Sequence, residues 1–139
     1  MKCSKRSHCP IVFALDIFGD RWSLVVLRDL LFKGKCHYNE FLASEESIST
    51  NILSERLVRL ENEGLITKTR HAANRREFIY APTRKGMDLL PAILEICCWS
   101  AKYDPKTAAP PALMRRIQKD REGFIHEIEA RFTESSENP

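Results

Sequence analysis

No apolar run in this sequence is long enough to cross a bilayer; the densest stretch, from Trp22 to Phe32, is interrupted by Arg28 and Asp29. The basic opening residues lead into no apolar core of the signal-peptide kind, so secretion is not expected. A disulfide framework is lacking as well. Five cysteines is an odd number, and in a chain without a secretory leader they are expected as reduced thiols in the cytoplasm. There is no Gly-x-Ser-x-Gly elbow, no phosphate-binding glycine loop and no His-Glu-x-x-His helix, and the titratable residues are spread along helical faces. An enzyme is therefore not expected. Total charge decides little, because 22 basic residues face 19 acidic ones for a net +3. What remains is a 139-residue chain, 43% hydrophobic and 29% charged, the balance of one soluble globular domain.

The positive charge is concentrated. Between Lys68 and Lys85 stand Lys68, Arg70, Arg75, Arg76, Arg84 and Lys85, with only Glu77 opposing them. Such asymmetry favours a nucleic-acid contact. Glycines punctuate the pattern around it. Pro10 suits a helical first turn, and the apolar run behind it ends at Gly19. Asp20 is placed to cap a second helix carrying Trp22, Val25, Val26, Leu30 and Leu31, which stops before Gly34. A short helix fits Tyr38 to Ala43, and a polar turn follows over Ser44-Glu45-Glu46-Ser47. Ser49 then caps a helix whose Leu53, Leu57 and Leu60 share one stripe and whose end is marked by Gly64. Residues 65–70 and 77–81 alternate as strands around a polar connection containing Asn74, which makes a hairpin with a basic tip. Pro82 is expected to end the second strand. Thr83 is expected to cap one long helix reaching about Tyr103, apolar on nearly all faces. Beyond Pro105–Pro111, an amphipathic helix over 112–132 and a disordered tail complete the chain.

A short helix, a tight turn and a capped helix make a helix-turn-helix, whose second helix fits a DNA major groove. The fold class expected is mainly α with a small β-hairpin, a winged helix-turn-helix. Ser49, Thr50, Asn51 and Ser54, with Glu55, Val58 and Arg59 further along, form the candidate reading surface. Asn51 suits adenine, Ser54 and Thr50 suit a base or a phosphate, and an exposed Val58 suits a thymine methyl. Glu55 either accepts from a cytosine amine or orients Arg59. Asn74, Arg75 and Arg76 at the hairpin tip suit phosphates or a narrow minor groove. The alternative is a winged helix that binds another protein and has lost its DNA face. The glutamate-poor start of the reading helix and the acid-free hairpin tip favour DNA.

Taken in order, several motifs resemble the HxlR-type family of bacterial winged-helix regulators. They are Cys9-Pro10, the run Leu15 to Trp22, Tyr38-Asn39-Glu40-Phe41, Ile48-Ser49 with Leu53 and Leu57, and Leu60-Glu61-Asn62-Glu63-Gly64-Leu65-Ile66. Tyr80, Thr83-Arg84-Lys85-Gly86 with Leu89, and Trp99 complete the set, over about residues 9 to 103. The resemblance implies a transcriptional regulator, a repressor in the simplest case, binding double-stranded DNA at a pseudo-palindromic operator. It implies a homodimer built from the N- and C-terminal helices. On this view residues 1–104 form the winged helix-turn-helix with its dimerisation helices, and 105–139 form an extension. The hairpin departs from many relatives, which carry prolines where this chain has Ala72-Ala73-Asn74-Arg75-Arg76. Cys9 occupies the position at which some relatives carry a redox-sensing thiol, so an oxidant or a small-molecule effector is a candidate input. Its place at a helix start, with Arg6 nearby, favours a thiolate. Cys97 and Cys98 read as buried small hydrophobes, Cys36 as structural or incidental, and His37, His71 and His126 as surface or capping residues. The cluster Cys3, His8 and Cys9 is too sparse for a metal clip, and neither a metal nor a cofactor is expected.

Overall fold

The computed structural model describes residues 7–137, with side chains to 133. Arg6 and Cys3, invoked above beside Cys9, lie outside the described residues. The chain divides into two compact units, one ending at Thr83 and one beginning at Arg84.

The first unit runs α1 (Pro10–Phe18), α2 (Ser23–Leu31), α3 (Tyr38–Leu42), α4 (Thr50–Asn62), β1 (Ile66–Arg70) and β2 (Phe78–Pro82). Pro10 occupies the first turn of α1, where its missing N–H is no loss. Only Ile17 of α1 is buried; Ile11, Phe13 and Leu15 are 69%, 63% and 54% exposed, an apolar surface that this unit leaves bare. Helix α4 packs on α2, α3 and β1. Its Leu53, Leu57 and Leu60 are buried as the stripe requires, with Leu27, Leu30, Leu31, Phe41 and Leu65 also in the core. Ser49 Oγ accepts from the Ile52 amide at 3.3 Å, satisfying one of the first-turn donors. At the far end Gly64 sits at φ 77°, and the Gly64 and Leu65 amides bond back to the Glu61 and Leu60 carbonyls. That paired closure needs a left-handed residue, which glycine supplies without a Cβ clash.

The two strands pair antiparallel, Ile66 opposite Pro82, Lys68 opposite Tyr80 and Arg70 opposite Phe78. Pro82 is thus the last residue of β2, at a sheet edge where a missing N–H is tolerated. Tyr80 is buried and stands edge-on to Phe41, with ring centroids 6.0 Å apart.

The second unit holds α5 (Arg84–Met87), α6 (Leu90–Tyr103), α7 (Pro111–Lys119) and α8 (Arg121–Glu137). The single long helix expected from Thr83 to Tyr103 is two. Pro91 has no N–H for the Met87 carbonyl and its ring crowds that turn, so the chain breaks at Asp88–Leu89 and restarts with Pro91 in the first turn of α6. Leu90, Ile93 and Leu94 are buried, whereas Ile96, Trp99 and Tyr103 form an exposed stripe. Cys97 and Cys98 are half-buried, not fully enclosed as expected. The helix expected over 112–132 is also two. Asp120 interrupts it and turns its Oδ1 to the Gly123 amide at 3.1 Å, and α8 then continues into the stretch read as tail.

Candidate nucleic-acid interface

The pair α3 and α4 is held by bonds that the sequence pattern does not display. Arg28 of α2 grips Glu46 in the intervening turn with two nitrogens, at 2.5 and 3.0 Å. The same guanidinium donates to Asp29 at 3.0 and 2.8 Å, and Lys35 reaches Asp29 at 3.2 Å. The Asp29 side chain is 2% exposed, so these cations offset the cost of burying its charge. The bond from Arg28 holds the Glu46 carboxyl down at about 2, against the opposing effect of burial. The turn between the helices, which includes Ser47 at φ 59°, is thereby tied to α2.

Asp20 anchors the other end of α4. Its carboxylate accepts from the Trp22 and Ser23 amides at 2.8 and 3.0 Å, from the Ser23 hydroxyl at 2.5 Å and from Arg56 Nε at 2.7 Å. Burial pushes this carboxyl up. The bonds from Ser23, Arg56 and the two amides outweigh that and hold it well below the usual carboxylate range. The sequence places Asp20 at the cap of α2; in the structure the N-cap position is Trp22, and Asp20 holds the helix entrance from the preceding turn through the Trp22 and Ser23 amides. It also binds α4 to the α1–α2 turn.

On the opposite side of α4, Thr50, Asn51, Ser54, Glu55 and Val58 are all exposed. The last four follow at i, i+3, i+4 and i+7, one helical face. Val58 is 55% exposed, an apolar residue with no core to fill. The Tyr38 hydroxyl donates to the Thr50 carbonyl at 3.2 Å and stands 3.2 Å from Ser54 Oγ, which fixes the start of that face. Ser49 is spent as the cap. Glu55 pairs with Arg56 and not with Arg59. Arg59, grouped with the reading surface by sequence, folds back: its Nη2 donates to the Asp16 carbonyl at 2.6 Å, and Nη1 lies 4.0 Å from Asp20.

The hairpin tip is internally ordered. Asn74 Oδ1 accepts from the Arg76 amide at 3.2 Å, and Arg70 donates to the Arg75 carbonyl at 2.6 Å. Arg75 and Arg76 are exposed and have no carboxylate partner among the described residues. On one strand face Lys68 and Arg70 lie over the Phe78 ring, 4.1 and 4.9 Å from its centre. Of the two, Lys68 borders α4, while Arg70 is turned to the hairpin tip. A cleft of about 360 Å³ opens between this strand face and α4, bordered by Tyr38, Ser54, Val58, Lys68, Arg76 and Phe78.

Of the residues named from sequence, Asn51, Ser54, Glu55 and Val58 thus share one exposed face, with Thr50 exposed at its start, and Arg75 and Arg76 crown the hairpin. Ser49 and Asn74 make local bonds, and Arg59 is tied across the fold to the Asp16 carbonyl. Sequence reasoning missed Tyr38 and Lys68; both sit in quoted motifs or basic runs, but only tertiary placement brings them to α4. Cys9 is exposed at the N-cap of α1, where its amide donates to Ser7 Oγ at 3.0 Å.

Residues 17–108 match the HxlR-like helix-turn-helix family. An HTH-type transcriptional regulator of Mycobacterium tuberculosis is 32% identical over 102 residues, 73% of this chain but only 63% of the relative's length. The regulator YdeP of Bacillus subtilis is 33% identical over 95 residues, 68% of this chain and 73% of its own. Among solved structures, PA1607, described as a transcription factor, superposes with a TM-score of 0.68 at 30% identity and covers 76% of this chain and 74% of its own. The redox regulator HypR in its oxidised form gives a TM-score of 0.58 at 27% identity over 68% of this chain and 96% of its own.

Proposed function

The chain belongs to the HxlR-like helix-turn-helix family of transcriptional regulators, and from that premise we propose that it binds DNA as a homodimer. The observation that carries this reading is the exposed, mostly polar face of α4 beside a wing whose tip bears two arginines with no carboxylate partner among the described residues. In this account α4 enters the major groove. Asn51 donates to and accepts from an adenine edge, Ser54 and Thr50 bond bases or phosphates, and Val58 meets a thymine methyl. Arg75, Arg76 and Lys68 hold phosphates and set register without reading sequence. Arg56 and Arg59 do not read; they aim α4 through Asp20 and Asp16.

The bare apolar residues of α1 and the stripe Ile96, Trp99, Tyr103 of α6 are the surfaces a second subunit covers, and two-fold symmetry yields two reading helices for a pseudo-palindromic site. Residues 1–104 then act as the reading and dimerising part, with 105–139 as an extension. Such a protein works in the cytoplasm, as a repressor when its site overlaps a promoter. HypR is a redox regulator, and the exposed Cys9 at a helix start is the thiol through which this chain takes an oxidant signal.

The wing is tested by salt. Arg75→Ala and Arg76→Ala should weaken binding to specific and random duplexes alike, and each should lower the slope of log K against log salt by about one. Unchanged slopes in both variants would remove the wing from the DNA contact.

A further inference from the structure

At the entrance to α3, beside the cleft that His37 shares with α4, three side chains with metal-ligating atoms meet. Cys36 Sγ, a ring nitrogen of His37 and a carboxylate oxygen of Glu40 all lie within 4.8 Å of one another. The sequence does not group them: Cys36 reads as structural or incidental, His37 as a surface or capping residue, and Glu40 as part of the Tyr38-Asn39-Glu40-Phe41 motif; His37 is indeed the N-cap of α3. Two further observations point to a missing partner. His37 Nδ1 is shut off from solvent, and the Glu40 amide that faces it across the capping box of α3 is given at 3.0 Å to the His37 carbonyl, so this nitrogen keeps no full hydrogen bond among the described residues. Glu40 uses Oε1 alone to accept from the Cys36 and His37 amides, at 3.3 and 3.0 Å, leaving Oε2 unbonded among the described residues. These amide bonds hold the loop in place before any ligand arrives. The Cys36 carbonyl, accepting from the Tyr80 amide at 2.8 Å, fixes the same loop to β2.

We propose that Cys36, His37 and Glu40 form a binding site for a borderline-soft divalent cation of the zinc type, with the fourth position open to water. A thiolate, an imidazole and a carboxylate are the donor set such an ion prefers. Bond lengths of about 2.0–2.3 Å place tetrahedral donors roughly 3.5 Å apart, so the three atoms need close by little more than an ångström. The exposed, three-torsion Glu40 side chain makes that approach inexpensive. In the free site the Cys36 thiol points its proton toward Glu40 Oε1, 3.8 Å from Sγ. Binding the cation forms the metal–sulfur bond and releases that one proton to solvent. His71 stands close, its ring centre 6.1 Å from that of His37. Its Nδ1 accepts from the Ala73 and Asn74 amides, which leaves the ring proton on Nε2, so His71 is a neighbour and not a ligand.

The proposal is independent of the DNA-binding reading, and so is its test. The full chain, reduced and stripped of metal, is titrated with Co²⁺ as a spectroscopic probe and then with Zn²⁺. One cobalt per chain should bind, with a thiolate-to-cobalt charge-transfer band and the visible bands of a tetrahedral site, and zinc should displace it. Cys36→Ser, nearly isosteric, should abolish the charge-transfer band while circular dichroism is unchanged. Glu40→Gln should weaken binding at least about tenfold. Cys9→Ser and Cys98→Ser should retain the wild-type spectrum. X-ray absorption at the zinc edge of the wild type should show one sulfur among lighter ligands. A folded wild type without the band, a band that survives Cys36→Ser or disappears in Cys9→Ser, or a zinc edge without sulfur would each overturn the assignment.

Discussion

Replacing Asp20 tests whether the α1–α2 turn truly holds α4. Asp20→Ala removes the acceptor of four bonds at once: two amides, the Ser23 hydroxyl and Arg56 Nε. Losing the cap-like bonds to the Trp22 and Ser23 amides at the entrance of α2 costs about 1 kcal/mol. Losing a charge-assisted bond with both side chains about four-fifths buried (18% and 20% exposed) costs roughly 1.5–3 kcal/mol. Ser23 is fully buried and its hydroxyl is stranded, whereas Arg56 keeps Glu55 as a second partner. The sum comes to roughly 3 kcal/mol. Asp20→Asn keeps a neutral acceptor for the amides and should cost about 1 kcal/mol. Urea denaturation at fixed protein concentration and pH 7 measures both, with the slope unchanged. The pH dependence has a definite sign. The folded-state carboxyl lies below its unfolded value of about 3.9, so its contribution is complete above about pH 4 and is lost as pH falls further. The wild-type advantage over Asp20→Asn should therefore shrink on acidification from pH 4 downward. An Asp20→Ala loss under about 0.5 kcal/mol would refute the reasoning, since no capped and charge-bonded hub costs so little.

The remaining predictions concern assembly and signal. Trp99→Glu, on the exposed stripe of α6, should convert a dimer to a 16.1 kDa monomer in sedimentation at micromolar concentration; a wild type that is already monomeric would remove the dimer from the account. Mild oxidant should change the DNA affinity of the wild type and leave Cys9→Ser unaffected, measured by fluorescence anisotropy. Equal responses in the two proteins would exclude Cys9 as the sensor.

Much of the first unit was legible in the chain itself. The Leu53, Leu57, Leu60 stripe between Ser49 and Gly64 defines α4, because periodicity, a cap and a left-handed stop agree there. Asn74 between two alternating runs marks the hairpin for the same reason. The second unit was read less well. Apolar residues continue through Leu89, Leu90 and Ile93, so the pattern looks unbroken, yet one missing amide at Pro91 outweighs it. Asp120 breaks the later helix by serving the next one as its cap. At the candidate site, helical spacing places Asn51, Ser54, Glu55 and Val58 on one face without further information. Spacing cannot say where a long side chain folds. Arg59 starts near that face, and its flexible stem carries the guanidinium back to the Asp16 carbonyl. The Arg28–Glu46 clamp and the Cys36, His37, Glu40 cluster depend on the packing of α2, α3 and the hairpin, which no local pattern encodes.

The central claim, that α4 reads base edges, is tested most directly by selecting bound duplexes from a random pool with the wild type and with Asn51→Ala. The account predicts a two-fold-related consensus for the wild type. In the variant, preference should be lost at one position in each half-site, with a cost of about 1–3 kcal/mol on the parental site. An Asn51→Ala protein that selects the same consensus with the same affinity would contradict it.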